Sequence, residues 1–469
     1  MGLIKQLEFR DSIFTPYLNC ISLFDVQTGT YVPGAHNGMI LNGGLGATNG
    51  VIGREQMFKS TELFSFVLSA MHHYPESECM VNDTEYAQKK DRLLRFLPDE
   101  VDRNEFEKRI AISTPADTTT EEFFAKAKDA CLLKVKHAAD YTVETPILDP
   151  RSGKPLRMLI PTFMVFDTWS KMMSDYVQTT LNTKELGSSD TNMVFMKDGI
   201  IKKMMMAQIP RLAAMSNTYF LMSAHVGNKF ELNPYAQTPK SLPNMRQTDK
   251  PREVGSDFNF LISNVMDVRR VQLLQDDKKE SQYPSPDGGD AELNEVLSVL
   301  VRCKNNMSGT QLPLVLSQFN GVIENLSNYH YLKENKYFGM PGSTISHKPA
   351  MTDVSVGRTT IRQKLADQKV ARAVELLAQL CYIQNNWNLS NNEVNFMMNP
   401  EDLAKNLITR NDKPGISDIL ESRGWWTYDK KNQQPYMSLY DVLAIAQGVY
   451  RAKGISLTGL KIQTETVSK

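Results

Sequence analysis

The cysteines of this chain of 469 residues do not form a metal-binding or redox motif. They are scattered, without a CxxC pair and without the Cys/His spacing of a zinc site: Cys20, Cys79, Cys131, Cys303 and Cys381. Isolated thiols are typical of proteins in a reducing compartment, whereas disulfide frameworks and zinc sites need closely patterned cysteines. We therefore expect reduced thiols in a cytoplasmic protein.

An excess of charge of either sign is also missing, as is a long hydrophobic run. Lys and Arg together number 53, and so do Asp and Glu, so the formal net charge is zero. A general electrostatic attraction to nucleic acid is therefore not expected, although local basic loops could still bind it. The apolar run MLIPTFMVF at 158–166 is far too short to span a bilayer. The charged first residues do not resemble a signal peptide.

What the chain does contain is the loop GREQMFKST at 53–61. A phosphate-binding loop has a glycine, four free positions and then Gly-Lys-Ser/Thr. Gly53, Lys59 and Ser60 keep this spacing, while Phe58 replaces the second glycine. Backbone N–H groups would surround the phosphates, Lys59 would approach the terminal phosphate and Ser60 would bind Mg²⁺. The candidate phosphate-binding residues are Gly53, Arg54, Glu55, Gln56, Met57, Phe58, Lys59, Ser60 and Thr61.

The segments on either side of this loop fit the pattern unequally. TELFSFVLSAM, which includes Thr61, predicts a buried helix with Leu63, Val67 and Met71 at helical spacing. Before the loop, the glycine-rich NGGLGATNGVIG leaves only Val51 and Ile52 as clear strand formers. The sequence thus predicts strand, loop and helix, with a poor first strand.

A short strand ending in two carboxylates, Asp83 and Glu85, is predicted for ECMVNDTEYAQ at 78–88. The chain between Lys59 and Glu85 has room for one helix, a turn and a parallel strand. Ligands of doubly wound sheets bind at the carboxyl ends of the strands. A carboxylate there could polarise the water that attacks a terminal phosphate. The alternative is a solvated acid in a turn.

Two further buried strands are predicted to end in polar side chains. The run RMLIPTFMVFDTWS at 157–170 predicts a strand that begins after Pro161 and ends at Asp167. We expect Asp167 to be a Mg²⁺-organising acid on the strand beside the phosphate loop. TYFLMSAHVGNKF at 218–230 predicts a strand that ends near His225, which could sense the terminal phosphate. A purely structural histidine is the alternative.

The segment at 228–255 contains four prolines and is too irregular for an ordinary connection. Its cations, together with Tyr235 as a possible stacking partner for a base, suit contacts with a nucleic-acid strand. A solvated loop is the alternative. The candidate nucleic-acid-binding residues are Lys229, Lys240, Arg246, Lys250 and Arg252.

Composition divides the chain into three parts. Residues 1–40 form a polar N-terminal arm, and residues 345–469 form a mainly helical C-terminal domain. Between them, residues 41–335 form an α/β core that carries an insertion or elaborated crossover at about 89–157. The aromatic stretch GWWTYDKK at 424–431 is either a binding platform or, as is commoner, local core.

Near the end of the core, antiparallel strands are predicted beside the parallel sheet. The runs concerned are at 257–274, 292–306 and 312–323, and a charged, Pro- and Gly-rich tip separates the first two.

The order of these motifs resembles that of the RecA-type recombinase family. The matching stretches, within about residues 40–330, are GREQMFKST, MVNDTE, FMVFDTWS, FLMSAH, SNVMDVRR and VRCKNN. The Phe-Lys-Ser form of the loop is similar to the phage UvsX branch in particular. The resemblance implies a RecA-like P-loop ATPase core that uses ATP and Mg²⁺. Such a core is a mostly parallel α/β sheet with helices on both faces and antiparallel strands appended.

The resemblance also implies a role for each site residue. Lys59 and Ser60 would hold the phosphates and Mg²⁺, and Asp167 would be the acid of the second nucleotide motif. Glu85 would activate the attacking water. His225 stands where the family has a glutamine or histidine that couples the nucleotide state to DNA. The stretches after Asp167 and after His225 would be the two DNA-binding loops.

Lys304 stands where the family has a lysine that reaches the ATP of the neighbouring protomer. The second basic residue that often follows it is replaced by Asn306, although Arg302 lies nearby. The function implied is an ATP-dependent DNA recombinase, a filament on single-stranded DNA that promotes homologous pairing and strand exchange in recombination and repair. A hexameric helicase on the same fold and a non-catalytic filament or scaffold protein are the alternatives.

Overall fold

The computed structural model describes most of the chain outside its two ends. The described residues are 31–33, 39–41, 45–114, 118–148, 155–183, 189–229, 240–255, 257–286, 292–304, 308–339, 346–386, 394–408 and 414–449. Most of the predicted arm at 1–40 lies outside these ranges, as do Tyr235 and Asn306.

The first part of the chain alternates between strands and helices. Its elements are β1 (Tyr31–Pro33), β2 (Met39–Leu41), β3 (Thr48–Gly53), α1 (Lys59–His73), β4 (Glu78–Asp83), α2 (Lys90–Leu94), α3 (Arg103–Glu107), β5 (Ile110–Ser113), α4 (Thr120–Lys136), β6 (Thr142–Leu148), β7 (Pro155–Leu159) and β8 (Thr162–Asp167).

Two helices then lead into a run of longer strands. The elements of this part are α5 (Asp175–Thr183), α6 (Ser189–Ser216), β9 (Thr218–Asn228), β10 (Asp249–Pro251), α7 (Phe258–Leu261), β11 (Asn264–Leu273), β12 (Leu293–Cys303), β13 (Gln311–Ser317), β14 (Gly321–Val322) and α8 (Glu324–Asn335).

The last part is mainly helical, as the sequence predicts. Its elements are β15 (Ser346–His347), β16 (Val356–Gly357), α9 (Ile361–Lys364), α10 (Gln368–Asn386), α11 (Pro400–Ile408), α12 (Ile416–Leu420) and α13 (Leu439–Gln447). Within the described ranges, every helix is too short or too polar to cross a membrane.

A ten-stranded sheet forms the centre of the described structure. Its strands run in the order β14-β13-β12-β11-β3-β9-β8-β4-β5, with β10 attached to β9. Neighbouring strands are parallel from β11 through β5 and antiparallel from β11 to β14. The predicted fold class, a mostly parallel α/β sheet with antiparallel strands appended, is confirmed.

Helices cover both faces of this sheet. Side chains of β3 alternate between the faces, as the period of two in a strand requires, so that Val51 belongs to one hydrophobic cluster and Ile52 to the other. Helix α1 lies in the first cluster, where Leu63, Val67 and Met71 are fully buried, as predicted. Helices α4 and α6 supply buried side chains to the second cluster.

The segment predicted as an insertion at about 89–157 contributes to the main sheet as well as to its surroundings. It contains the helices α2, α3 and α4. The sequence does not predict β5, which extends the sheet by pairing in parallel with β4. Strands β6 and β7 form a separate antiparallel pair.

The strand expected to start at 257 begins later. Phe258–Leu261 forms the short helix α7, and β11 starts at Asn264. The backbone N–H groups of Phe260 and Leu261 donate to the carbonyl of Asp257 at 3.1 and 2.9 Å. This turn occupies part of the predicted strand.

The aromatic stretch of the C-terminal segment packs against the end of α1. Trp426 is fully buried, and the ring of Trp425 stacks on His73 with 3.9 Å between the centroids. The hydroxyl of Thr427 donates to the carbonyl of His73 at 2.6 Å. Buried residues of this segment belong to the same hydrophobic cluster as α1. Trp426 is therefore a core residue, while Trp425 packs against α1 from a half-buried position.

The first turn of α1 contains a glutamate that is entirely removed from water. Glu62 is 0% exposed, and the hydroxyl of Ser298 donates to its Oε2 at 2.8 Å. Its other oxygen has no partner among the described residues. Burial raises the pKa of Glu62 to about 8, so the side chain is mostly protonated at neutral pH.

We predict that this glutamate makes folding depend on pH. The unfolded chain has the ordinary glutamate pKa of 4.5, so the folded state holds one more proton between pH 4.5 and about 8. The stability contributed by protonated Glu62 is complete below pH 4.5 and is lost as the pH rises through about 8. Urea unfolding of Glu62→Gln should show a higher free energy of unfolding than the parent at pH 7.5, and little difference at pH 5.

A matched control is Glu292→Gln, which changes an exposed glutamate in the same way. It should leave the pH dependence of unfolding unchanged. If Glu62→Gln and the parent chain lost stability equally between pH 5 and pH 8, Glu62 would not be the buried acid responsible.

Candidate nucleotide-binding site

The loop between β3 and α1 has the strand–loop–helix context that a phosphate-binding loop requires. Gln56 and Phe58 have left-handed backbone conformations, with φ values of 58° and 57°. Phe58 occupies the position where the motif has glycine, and a left-handed backbone is the conformation that glycine adopts without cost. Its ring is partly buried against the first hydrophobic cluster, which contains α1, and this burial offsets the backbone strain. The loop therefore has a left-handed backbone at the position of the motif's second glycine, although the residue there is phenylalanine.

Lys59 lies inside its own loop. The residue is 7% exposed, and its Nζ donates to the carbonyl of Arg54 at 2.6 Å. Burial lowers the pKa of Lys59, while the nearby charges of Glu85, Asp167 and Glu55 act in the opposite direction. The amine is thus held among carboxylates at the position where a phosphate-binding loop needs a cation.

Ser60 and Asp167 are brought together by hydrogen bonding. The hydroxyl of Ser60 donates to Oδ1 of Asp167 at 2.9 Å, and the hydroxyl of Ser223 donates to the same oxygen. The side-chain amide of Gln88 donates to Oδ2 of Asp167 at 3.0 Å. Asp167 is 1% exposed; burial raises its pKa, and the hydrogen bonds from Ser223 and Ser60 oppose that shift.

The expectation that Asp167 lies on the strand beside the phosphate loop is wrong. Strand β9 separates β3 from β8, because the chain inserts its third buried strand between the first two. Asp167 still reaches Ser60 because it lies at the carboxyl end of β8, where Ser223 of the intervening strand β9 also donates to its carboxylate. The predicted partners therefore meet across one strand.

Glu85 and Asp83 have different environments. The two oxygens of Asp83 accept the backbone N–H groups of Glu85 at 3.2 Å and of Gln88 at 2.6 Å, so this acid holds the turn after β4. The carboxylate of Glu85 instead accepts a hydrogen bond from Nε2 of His225 at 3.0 Å. The hydrogen bond from His225 is the main cause that lowers the pKa of Glu85. Glu85 is thus an ionised, partly exposed carboxylate at the site.

The sequence predicts His225 at the end of its strand, but β9 continues for three residues beyond it. Its pairing with Gly53 nevertheless places it level with the start of the loop. Its carbonyl accepts the backbone N–H of Arg252 at 2.8 Å. His225 therefore connects Glu85 to the basic segment that follows β9.

The basic segment returns to the sheet as β10, which pairs with the end of β9. Of its five cations predicted to bind nucleic acid, Lys229 is half-buried and the other four are exposed: Lys240, Arg246, Lys250 and Arg252. Residues 230–239 lie outside the described ranges.

A second connection joins this segment to the phosphate loop. The guanidinium of Arg54 pairs with Asp249 of β10 at 3.1 Å and donates to Asn228 of β9 at 2.8 Å. Asp249 is buried, whereas Arg54 is half-exposed. The sequence predicts only a backbone contribution from Arg54 to phosphate binding. In the structure its side chain also connects the loop to the basic segment.

Lys304 lies level with the amino-terminal ends of the parallel strands β11 and β3, away from the candidate nucleotide site. It follows β12, whose Cys303 pairs with Asn264 at the start of β11, and Asn264 pairs with Asn49 near the start of β3. Its Nζ donates to the carbonyl of Leu261 at 3.2 Å. The structure does not bring Lys304 to the site of its own chain, and its contact with a neighbouring protomer stays a prediction.

Gln88 and Arg92 are site residues that sequence reasoning missed. The guanidinium of Arg92 donates to Gln88 Oε1 at 3.1 Å and to the hydroxyl of Thr61 at 2.9 Å. With the bond from Gln88 to Asp167, these contacts join α2 to both nucleotide motifs. Gln88 closes the stretch that carries Glu85, but an uncharged side chain after a strand gives no distinctive signal.

The residues present fit a phosphate-bound Mg²⁺. A hydroxyl and a carboxylate, those of Ser60 and Asp167, lie next to each other, and Mg²⁺ with nucleotides is commonly held by one or two carboxylates plus phosphates. Within the described ranges, no group of three His, Cys, Asp or Glu side chains could hold a metal ion alone. The site thus has the oxygen ligands that a nucleotide-bound cation needs and lacks a dedicated cage.

Comparisons with known proteins add little to this geometry. Protein-family models give no match to the chain. Curated proteins give no match either. Among solved structures, the chain is similar to one described as the crystal structure of the RadB recombinase, at 14% identity and a TM-score of 0.32, over 60% of this chain and 92% of that chain. So distant a likeness carries no argument about function, and the assignment to the phage branch stays a prediction.

We predict that Phe58 is strained and that glycine would relieve it. Phe58→Ala removes the ring but keeps a side chain in the left-handed conformation, whereas Phe58→Gly removes the ring and the strain. In denaturant unfolding, Phe58→Gly should be about 1 kcal/mol more stable than Phe58→Ala.

The control pair is Ser69→Ala and Ser69→Gly, inside α1, where glycine should be less stable than alanine by about 1 kcal/mol. The same order at both positions would show that the backbone at Phe58 is not held in the left-handed conformation.

Proposed function

We propose that the chain is a DNA-dependent ATPase of the RecA-type recombinase class. The observation that supports this proposal best is that four side chains lie close together beside the carboxyl ends of the parallel strands. They are Lys59, Ser60, Asp167 and Glu85. These residues come from three separate segments of the sequence, and each has the chemical character that ATP hydrolysis requires.

The proposed mechanism assigns one task to each side chain. Loop N–H groups and the N-terminus of α1 bind the phosphates, and Lys59 exchanges the carbonyl of Arg54 for the terminal phosphate. Ser60 and Asp167 would hold Mg²⁺, which would neutralise part of the phosphate charge. Glu85, kept ionised by His225, orients the attacking water and accepts its proton.

Coupling to DNA is supported by the contacts of the basic segment. Nucleotide binding at Glu85 would disturb its hydrogen bond with His225, whose carbonyl accepts the backbone N–H of Arg252. Arg54 connects the loop itself to Asp249 in the same segment. We propose that the exposed cations there bind the backbone of single-stranded DNA and respond to the nucleotide through these two connections.

The finer proposal is a cytoplasmic recombinase of the phage UvsX type. Protomers would assemble on single-stranded DNA with ATP between neighbours, where Lys304 would contact the nucleotide of the next protomer. The filament would promote homologous pairing and strand exchange in recombination and repair. A closed hexameric ring and a filament without turnover remain the competing outcomes of the experiment below.

The test is ATP hydrolysis by the purified chain with and without single-stranded DNA. We expect DNA to stimulate hydrolysis, Lys59→Ala to abolish it, and Lys126→Ala, an exposed lysine on α4, to leave it unchanged. Glu85→Gln should keep ATP binding, measured with a fluorescent ATP analogue, and lower turnover by about 10²- to 10⁴-fold.

Equal hydrolysis by the parent chain and both site variants would contradict the proposal. Binding of ATP by a folded parent chain without turnover, in either condition, would favour the scaffold alternative. Electron microscopy of the ATP-bound protein on DNA then separates open helical filaments from closed rings.

A further inference from the structure

A cavity lies at the amino-terminal ends of β4, β8 and β9, away from the carboxyl ends that carry the candidate nucleotide site. It has a volume of about 360 Å³ and is covered by α4. Glu78, Thr162 and Thr218, the first residues of β4, β8 and β9, contribute to its lining. None of the residues placed in ATP binding or hydrolysis lines this cavity.

Lys134 of α4 is a buried amine that lines this cavity. The residue is 6% exposed, and its Nζ donates to the hydroxyl of Thr162 at 2.7 Å. That neutral hydroxyl is its hydrogen-bonding partner among the described residues, and it makes no ion pair there. The aliphatic stem of a lysine tolerates such burial, but its charge does not.

The surroundings of Lys134 favour the neutral amine. Burial lowers its pKa to about 7, with only a small opposing effect of Cys131 and Glu78. The titratable groups that line the cavity with it are Glu76, Glu78, Cys131, Asp140 and Tyr141. A neutral lysine is a nucleophile, whereas an ordinary surface lysine is almost wholly protonated at neutral pH.

We propose that Lys134 is a site of acylation by small, uncharged acyl thioesters that enter this cavity. The lone pair of Nζ forms a bond with the carbonyl carbon, and the carbon–sulfur bond breaks. The thiol leaves with the proton that the nitrogen loses. The product is a neutral amide, so the site no longer buries a basic group.

The lining of the cavity indicates which acyl groups fit. Ile160 and Met164 give it buried apolar walls, which suit a short alkyl chain. Glu76, Glu78 and Asp140 are exposed acids of the same lining and would repel an acyl group that carries a carboxylate. Acetyl and other short neutral groups are therefore favoured over succinyl-type groups.

The experiment is acetylation of the folded full-length chain by the acetyl thioester of N-acetylcysteamine, mapped by peptide mass spectrometry between pH 6 and 10. Lys128 and Lys136, exposed lysines on the same helix, are internal controls. At pH 7, Lys134 should react at least about tenfold faster than either control, because much more of it is neutral. Its rate should level off above about pH 8, while the control rates continue to rise to about pH 10.

A cavity-filling variant tests the route of the reagent. Ala130→Leu places a larger side chain in the lining and should slow acetylation of Lys134 several-fold, with Lys128 and Lys136 unaffected. The proposal is overturned if Lys134 reacts no faster than the controls at pH 7. It is also overturned if its rate rises in parallel with theirs up to pH 10, or if Ala130→Leu leaves its rate unchanged.

Discussion

The carboxylate of Asp167 is buried where several segments of the chain meet, and the candidate site depends on the groups that donate hydrogen bonds to it. Ser60 brings the start of α1, Ser223 brings β9 and Gln88 brings the segment after β4. A buried carboxylate without such donors would cost several kcal/mol. Because the same acid accepts hydrogen bonds from three segments, its position fixes theirs, and the start of α1, β9 and the segment before α2 are aligned together.

Helix α1 transmits that alignment to the rest of the molecule. Its first residues belong to the loop, and its last turn is held by the C-terminal segment, through the stacking of Trp425 on His73 and the hydrogen bond from Thr427. The C-terminal segment therefore packs against the far end of this helix, and its described residues contribute no side chain to the site. The basic segment after β9 is connected at the other end, through Arg54 and His225.

The sequence predicted the elements of the site better than their arrangement. The loop, the buried helix and the strands carrying Asp167 and His225 follow from motif spacing and apolar runs, which are local properties. Strand order is not local: the position of β9 between β3 and β8 depends on how the helices cross the sheet. The poor strand propensity of β3 was overridden by pairing with β9 and β11 on both sides. Gln88 and Arg92 act through contacts formed only in the folded chain, so no spacing rule could find them.

The most direct test of the proposed site is a crystal structure of the chain with Mg²⁺ and a non-hydrolysable ATP analogue. We expect Lys59 to leave the carbonyl of Arg54 for the terminal phosphate, Ser60 and Asp167 to face the metal ion, and Glu85 to lie beside the terminal phosphate. A nucleotide bound elsewhere, with the hydrogen bond from Lys59 to Arg54 intact, would contradict it.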